Sequence, residues 1–433
     1  MEKYAILSDG DKLKEIRKKY EVKQEEIEGE GITRNLISEI ENDKAIITKR
    51  AAEIIIKNVT ALAKKKNFKV TETVDYLMEN QIVQATKILD KYIEELKTLI
   101  ISKDESFIKT FKEAEIFLID WDIKDKKLRI YELAGDYYCN NNEMYKSAVY
   151  YEKALALINR VFLDRELIPL SRKLSMVYGY IGDYKKSIEC CEFALSRFGN
   201  MSINDKVIFR RNNALNYKHI NNLQLALKNI EIAENLVDKS DISTYIKILN
   251  NKGNCFYEIK LYDEAIKVFN QIFGLINKRG KDRYLINLIN IVNSYWYAGI
   301  KDKSIENFNT VIRELPNLDN ISLYVANIYF EIGKVYARLD KLKLSEEYYL
   351  KALDFSEKQK NYVLENDILH NLIELYTTTN NVEKMDSIKN KVLIVSNIQG
   401  KVNNVLTYKL IIFYAGKSDN IVKQIAAFSL NYN

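Results

Sequence analysis

One register of small and aromatic residues recurs through the last two thirds of this 433-residue chain, and it constrains the fold more than any other feature. Small or branched residues fall at Gly135, Ser175, Ala214, Gly253, Val292, Gly333 and Ile373, spaced 39 to 41 positions apart. An aromatic follows each by three residues: Tyr138, Tyr178, Tyr217, Phe256, Tyr295, Tyr336 and Tyr376. Twelve residues after the first set come Ser147, Ser187, Ala226, Ala265, Ser304, Ser345 and Met385. Seven further on come Ala154, Ala194, Ala233, Ile272, Val311, Ala352 and Val392. Small residues let paired helices approach, and the aromatics fill the space between neighbouring units. A unit of this length cannot bury its apolar face alone, so the units must stack. Only two prolines, Pro169 and Pro316, and 14 glycines interrupt the chain, which predicts an almost wholly helical protein.

The pattern resembles the tetratricopeptide helix pair, with the usual period of about 34 residues lengthened. The fold expected is all-α: an N-terminal helix-turn-helix domain followed by a right-handed tetratricopeptide superhelix. The segments expected are a head at 1–67, a linker and irregular hairpin at 68–128, seven repeats at 129–401, and capping helices at 402–433. In such a fold the first helix of each pair faces the concave groove, which binds peptide or protein. Positions three before, one after and four after the small residue point inward. They hold Arg172, Arg211, Asn250, Asn254, Tyr257, Asn293, Trp296, Phe330 and Lys334, with Asn327 a turn further back. Asparagine amides both donate and accept, so they can clamp an extended peptide backbone. Arg172 and Arg211 suit a carboxylate. Trp296, Tyr257 and Phe330 suit an apolar side chain.

The first 69 residues carry a different signature. They hold 16 Lys/Arg against 13 Asp/Glu, so +3 of the net charge of +6 sits in about a sixth of the chain. Ser8 and Asp11 predict a helix from Asp9, with Leu13, Ile16 and Tyr20 on its apolar face. A short helix is expected around Gln24–Ile27, a turn marked by Gly29 and Gly31, and a last helix after Thr48. Between them, Thr33–Asn42 reads as a recognition helix. Ile37 and Ile40 face a core, while Thr33, Arg34, Asn35 and Ser38 lie on the opposite side near the helix start. Those residue types bond base edges and phosphates, and that end of the helix enters the major groove.

These residues resemble the Xre/Cro-type helix-turn-helix across about 55 positions, through Leu13…Ile16-Arg17, Gln24-Glu25-Glu26-Ile27 and Thr33-Arg34…Ile37-Ser38…Ile40-Glu41-Asn42. The resemblance implies that Gln24 grips a phosphate. It implies that Thr33, Arg34, Asn35 and Ser38 face the groove, that Asn42 and Lys44 meet the flanking backbone, and that Glu41 is structural. The sequence departs from the pattern at Lys23, where Ser or Thr usually caps the helix, and in a shortened turn from Ile27 to Ile32. Joined to the repeats, and with Tyr76-Leu77-Met78-Glu79…Gln84-Ala85 as linker, the head resembles the RRNPP peptide-pheromone receptors of Gram-positive bacteria (Rap, Rgg, NprR, PlcR and PrgX kinds). That implies a homodimeric quorum-sensing transcription regulator. It would bind double-stranded operator DNA and a short signalling oligopeptide, whose binding alters superhelix curvature and head spacing. Two alternatives share the architecture: a Rap-like adaptor for a response regulator, and a phage lysis–lysogeny receptor.

Other chemistry is not expected. His219 and His370 stand apart from metal-ligand spacings and nucleophiles. Cys139, Cys190, Cys191 and Cys255 form no ligand pair and read as reduced thiols. No phosphate loop, carboxylate pair or catalytic triad is evident, so neither enzyme activity nor a cofactor or metal is expected. No run approaches 18 apolar residues, and Met1–Gly10 lacks a leader pattern, so the expectation is a cytoplasmic protein with no membrane partner.

Overall fold

The structure, a computed structural model, describes residues 5–158, 164–276 and 280–430. It contains two compact units, Met1–Leu133 and Ala134–Asn433. Among the described residues the elements are helices, apart from an isolated bridge pairing Gly29 with Ile32. None of those helices is long and apolar enough to cross a membrane.

The first unit begins with α1 (Asp9–Lys19), α2 (Gln24–Ile27), α3 (Arg34–Glu41) and α4 (Lys49–Lys66). It continues with α5 (Val74–Met78), α6 (Gln81–Ser102) and α7 (Phe107–Asp120). Side-chain oxygens start three of the first four helices: Ser8 accepts from the Asp11 N–H, Thr33 from Leu36 and Thr48 from Ala51. Such caps satisfy N–H groups that have no partner within the helix. At α2, where Lys23 offers no cap, the Glu26 carboxylate accepts from the Lys23 N–H at 2.8 Å, supplying half of a capping box. Leu13, Ile16, Ile27, Ile32, Ile37, Ile40 and Ile55 close one core. Polar side chains then lock its margins. Lys12 is 1% exposed, and its ammonium bonds the carbonyls of Leu77 and Glu79 at 2.7 and 2.8 Å. These carbonyls lie at the C-terminal end of α5, where a cation is favoured. Gln84 exchanges two 3.0 Å hydrogen bonds with the backbone of Leu7.

The second unit is a stack of helix pairs. The first helices are α8 (Lys124–Asn140), α10 (Asp164–Tyr180), α12 (Ile203–His219), α14 (Ile242–Glu258), α16 (Lys281–Tyr297), α18 (Val325–Arg338) and α20 (Tyr362–Thr378). Their partners are α9 (Met144–Leu157), α11 (Tyr184–Arg197), α13 (Leu223–Leu236), α15 (Tyr262–Leu275), α17 (Lys301–Glu314), α19 (Leu342–Lys358) and α21 (Val382–Gln399). The division between the units falls inside α8. Each pair is joined by a residue with positive φ seven positions after the small residue: Asn142, Gly182, Asn221, Lys260, Gly299, Asp340 and Asn380. The left-handed turn ends one helix and reverses the chain.

The small positions have a volume reason. A Cβ on Gly135 would lie 2.3 Å from the Tyr151 ring, on Gly253 2.5 Å from Phe269, and on Gly333 2.5 Å from Tyr349. Each aromatic stands sixteen residues after its glycine. Where Ser175 and Ala214 replace the glycine, Cys191 and Ile230 replace the ring. Three of the serines twelve residues on close their hairpins, Ser147 bonding the Gly135 carbonyl at 2.8 Å, Ser187 that of Ser175 at 2.6 Å, and Ser304 that of Val292 at 2.8 Å. At the far end α22 (Asn404–Tyr414) and α23 (Asp419–Leu430) place Leu406, Leu410, Tyr414 and Ile425 over the last repeat.

The repeat stack closes on itself. The Lys360 ammonium reaches the Asn141 carbonyl at 3.3 Å and the Glu143 carboxylate at 3.5 Å. Lys401 reaches the Ile181 carbonyl at 3.5 Å, and Gly182 faces Val363. Residues about 220 positions apart thus meet across one superhelical turn, and the first helices enclose a lumen.

Candidate functional site

Two surfaces hold the sequence-derived site residues. On α3, Arg34 and Asn35 are exposed and bond no other described side chain. Thr33 is exposed, with its hydroxyl engaged as the helix cap at 3.3 Å from the Leu36 N–H. Ser38 is half-buried one turn on, and Lys44 is exposed beyond the helix. Two expectations need correction. The Gln24 amide donates to the Glu41 carboxylate at 2.7 Å, so the group expected to grip a phosphate is committed within the protein. The Asn42 amide turns back onto the Ser38 carbonyl at 2.7 Å. Glu41 is 3% exposed and also accepts from Arg17, which fits the structural part expected for it.

The lumen wall gathers some of the expected peptide-facing residues and withholds others. Lys247, Asn250, Asn254 and Tyr257 recur at helical spacing and form one stripe along α14. The Asn250 Oδ1 is buried and has no hydrogen-bond partner. Arg211 of the neighbouring α12 is half-buried, and burial lowers its pKa while the Tyr180 and Tyr324 phenols act on it from α10 and the approach to α18. Asn327 lines a cavity of ≈ 240 Å³ with Tyr145, Tyr180, Tyr324 and Gln399. Tyr180 exposes 54% of its surface, and its partial burial raises the phenol pKa, with Tyr324 adding to the rise. Burial likewise pulls His219, stacked on Tyr184 at 4.4 Å, down to about 4, so this imidazole is neutral at pH 7. The Asp367 carboxyl is raised by burial on the opposing α20.

Five of the expected groove residues are engaged within the protein. Arg172 is paired with Asp205 at 3.0 Å. Asn293 is 9% exposed, donating to Glu331 at 3.1 Å and accepting from Arg338. Phe330 is 7% exposed and packs on Tyr349 in the seam between the last two repeats. Trp296 lies under two cations, Lys301 at 5.3 Å and Arg338 at 5.6 Å. Lys334, also expected to face the groove, is bonded to Glu331 at 2.8 Å. Asn293 and Trp296 share one cause. Side chains from the next repeat, 38 and 45 residues on, reach over α16, which the geometry of an isolated helix pair does not contain. Lys247 was missed, although its spacing from Asn250 and Asn254 was visible.

Comparison with known proteins agrees with this architecture. A tetratricopeptide-repeat model matches residues 246–278 and 326–359, the fourth and sixth helix pairs. No curated protein matches the chain. Among solved structures it is similar to a Rap protein complexed with competence and sporulation factor, at 15% identity and TM-score 0.50, covering 90% of this chain and 98% of that one. It is similar to the apo form of RapI at 17% identity and TM-score 0.50, over 63% of this chain and 99% of that one. It is also similar to NprR in complex with its cognate peptide NprX, at 12% identity and TM-score 0.50, over 79% of this chain and 99% of that one. The fold is a tetratricopeptide-type helical superhelix. It is of the kind found in Rap and NprR.

Proposed function

We propose that this protein is a peptide-regulated DNA-binding regulator. Its repeat lumen takes a short signalling peptide, and α3 reads operator DNA, with two copies acting as a dimer. The observation that carries the peptide reading is the α14 stripe. The Asn250 Oδ1 has no hydrogen-bond partner, Asn254 one turn on makes no side-chain hydrogen bond among the described residues, and both are half-buried on the first helix of their pair. A peptide backbone offers the matching donors and acceptors. NprR, similar in fold, was solved with a cognate peptide. The DNA reading is supported by Arg34 and Asn35, uncommitted at the first turn of a helix that follows a short helix and a tight turn. Peptide and operator would be linked through their differential affinity for two states of the protein.

The test begins with operators selected from a random DNA pool by the intact protein. Arg34→Ala is expected to lower operator affinity by roughly 1–3 kcal/mol or more while peptide binding measured by calorimetry stays unchanged. Unaltered footprints in that variant would remove α3 from the reading. The second reading, an adaptor for a protein partner, has the likeness to Rap in its favour. It wins if the selection yields no DNA and affinity capture returns a specific phosphorelay protein bound competitively with the peptide.

A further inference from the structure

The segment that follows α4 is tied back to the head along its length. The five-residue α5 is too short to persist alone, so docking must hold it. Leu77 is fully buried in the core that Leu13, Ile16 and Ile37 close. Carbonyls at the end of so short a helix have no partner within it. Lys12 supplies one: its ammonium reaches the Leu77 and Glu79 carbonyls at 2.7 and 2.8 Å and the Asp9 carboxylate at 3.0 Å, which occupies its three N–H donors. The stretch before α5 is held as closely. Phe68 stacks on Tyr20 at 4.7 Å, the Thr71 N–H donates to the Tyr20 hydroxyl at 3.0 Å, and the Lys19 ammonium donates to Thr71 at 2.8 Å and to Glu72 at 2.5 Å. Beyond α5, Gln84 in the first turn of α6 exchanges two 3.0 Å hydrogen bonds with the Leu7 backbone. The partners Leu7, Lys12, Lys19 and Tyr20 all lie on α1 or beside it. That same helix grips α3. Arg17 donates to Glu41 at 2.7 Å, and the Ser8 hydroxyl and Gly10 N–H donate to Asp43 at 3.0 and 3.2 Å. A hinge needs a stretch with few fixed contacts, whereas 68–84 is fastened at both ends and in the middle.

We propose that Lys12 and Gln84 are positioning residues that make α3 and the base of α6 one rigid body, so that the direction of α6 fixes where α3 meets DNA. This deepens the DNA reading and rests on it. Residues 68–84, which the sequence places outside the head, are then part of its wall and not a flexible tether. In a dimer the separation of the two α3 helices follows the separation of the two α6 bases. A signal that rotates α6 rotates α3 with it, because α1 holds both.

The experiment uses the full chain and two readouts. The first is hydrogen exchange followed by mass spectrometry, comparing residues 74–84 with α1 and α3. In the wild type their protection should agree within roughly tenfold, because they open together. Lys12→Met keeps the apolar stem and leaves the Leu77 and Glu79 carbonyls unpaired. In that variant 74–84 should exchange roughly tenfold faster or more while α3 keeps its protection. Gln84→Leu, which leaves the head core untouched, should give a smaller change of the same pattern and serves alone if Lys12→Met does not fold. The second readout is a DNA pool in which two half-sites are separated by spacers of graded length. The wild type should select one narrow spacing. The variants should recover the same half-site sequence over a broader range of spacings, whereas a merely structural role would weaken binding at every spacing alike. Free exchange of 74–84 in a wild type whose α3 is protected overturns the proposal. So does a wild type that accepts all spacings, or a variant with 74–84 loosened that keeps the wild-type spacing. A wild type that selects no DNA overturns the DNA reading, and exchange alone then decides whether α3 and the base of α6 form one body.

Discussion

Two buried glutamates, one in each unit, are treated in opposite ways. Glu41, at the end of α3, is 3% exposed and receives hydrogen bonds from Arg17 and Gln24. Glu365, on α20, is 4% exposed and has no side-chain donor among the described residues. Burial raises its carboxyl to about 7, with Glu357 adding to the rise and Lys391 opposing it. The head is small and must fix the angle between short helices with few contacts, so it buries a charge together with its partners. The repeat unit gets its order from recurring volume complements between helices. It can hold a carboxyl that is only partly compensated, at some cost in stability. A buried charge therefore specifies geometry in one region and sits as a titratable penalty in the other.

The sharpest way to break this comparison is Glu41→Ala. It strands Arg17 and Gln24 and is expected to cost about 3–5 kcal/mol in the first unit, read by denaturant titration. A wild-type midpoint would show that the charge cluster does not hold α1 and α2 to α3. Next in size is Gly333→Ala, whose new methyl meets the Tyr349 ring. A loss of about 1–3 kcal/mol is expected. Combining it with Tyr349→Leu should recover part of that loss, and strictly additive losses in the double mutant would contradict the volume complement. The smallest effect belongs to Glu365→Gln. A carboxyl raised in the folded state takes up a proton on folding. Its contribution is complete below about pH 4.5 and is lost as pH rises through about 7. The glutamine variant should thus melt a few degrees higher at pH 8 and show a flatter stability profile between these limits. Parallel profiles for variant and wild type would mean that Glu365 is ionised throughout.

Much of the architecture was legible from one dimension. The positions of Gly135 to Ile373 and their aromatic partners recur because every helix pair solves the same packing problem. The left-handed residue seven places on, and the ring sixteen places after each glycine, were equally regular but were not read. The head was legible because caps such as Ser8, Thr33 and Thr48 act within four residues of themselves. The lumen was legible in part. Asn250, Asn254, Arg211 and Asn327 lie on the wall, whereas Asn293 and Phe330 are covered by residues of neighbouring repeats. Lys12 gave no warning at all, since the carbonyls of Leu77 and Glu79 that justify its burial lie more than sixty residues away.

By itself, the order of residues settled where helices start and stop, how many pairs stack and which side of α3 stays polar, because each depends on contacts within a turn or a hairpin. Which polar side chains remain unpaired was decided only when the stack curved and Lys360 met Asn141. Pairing across a superhelical turn depends on the accumulated rotation of many repeats, and no local pattern encodes that sum.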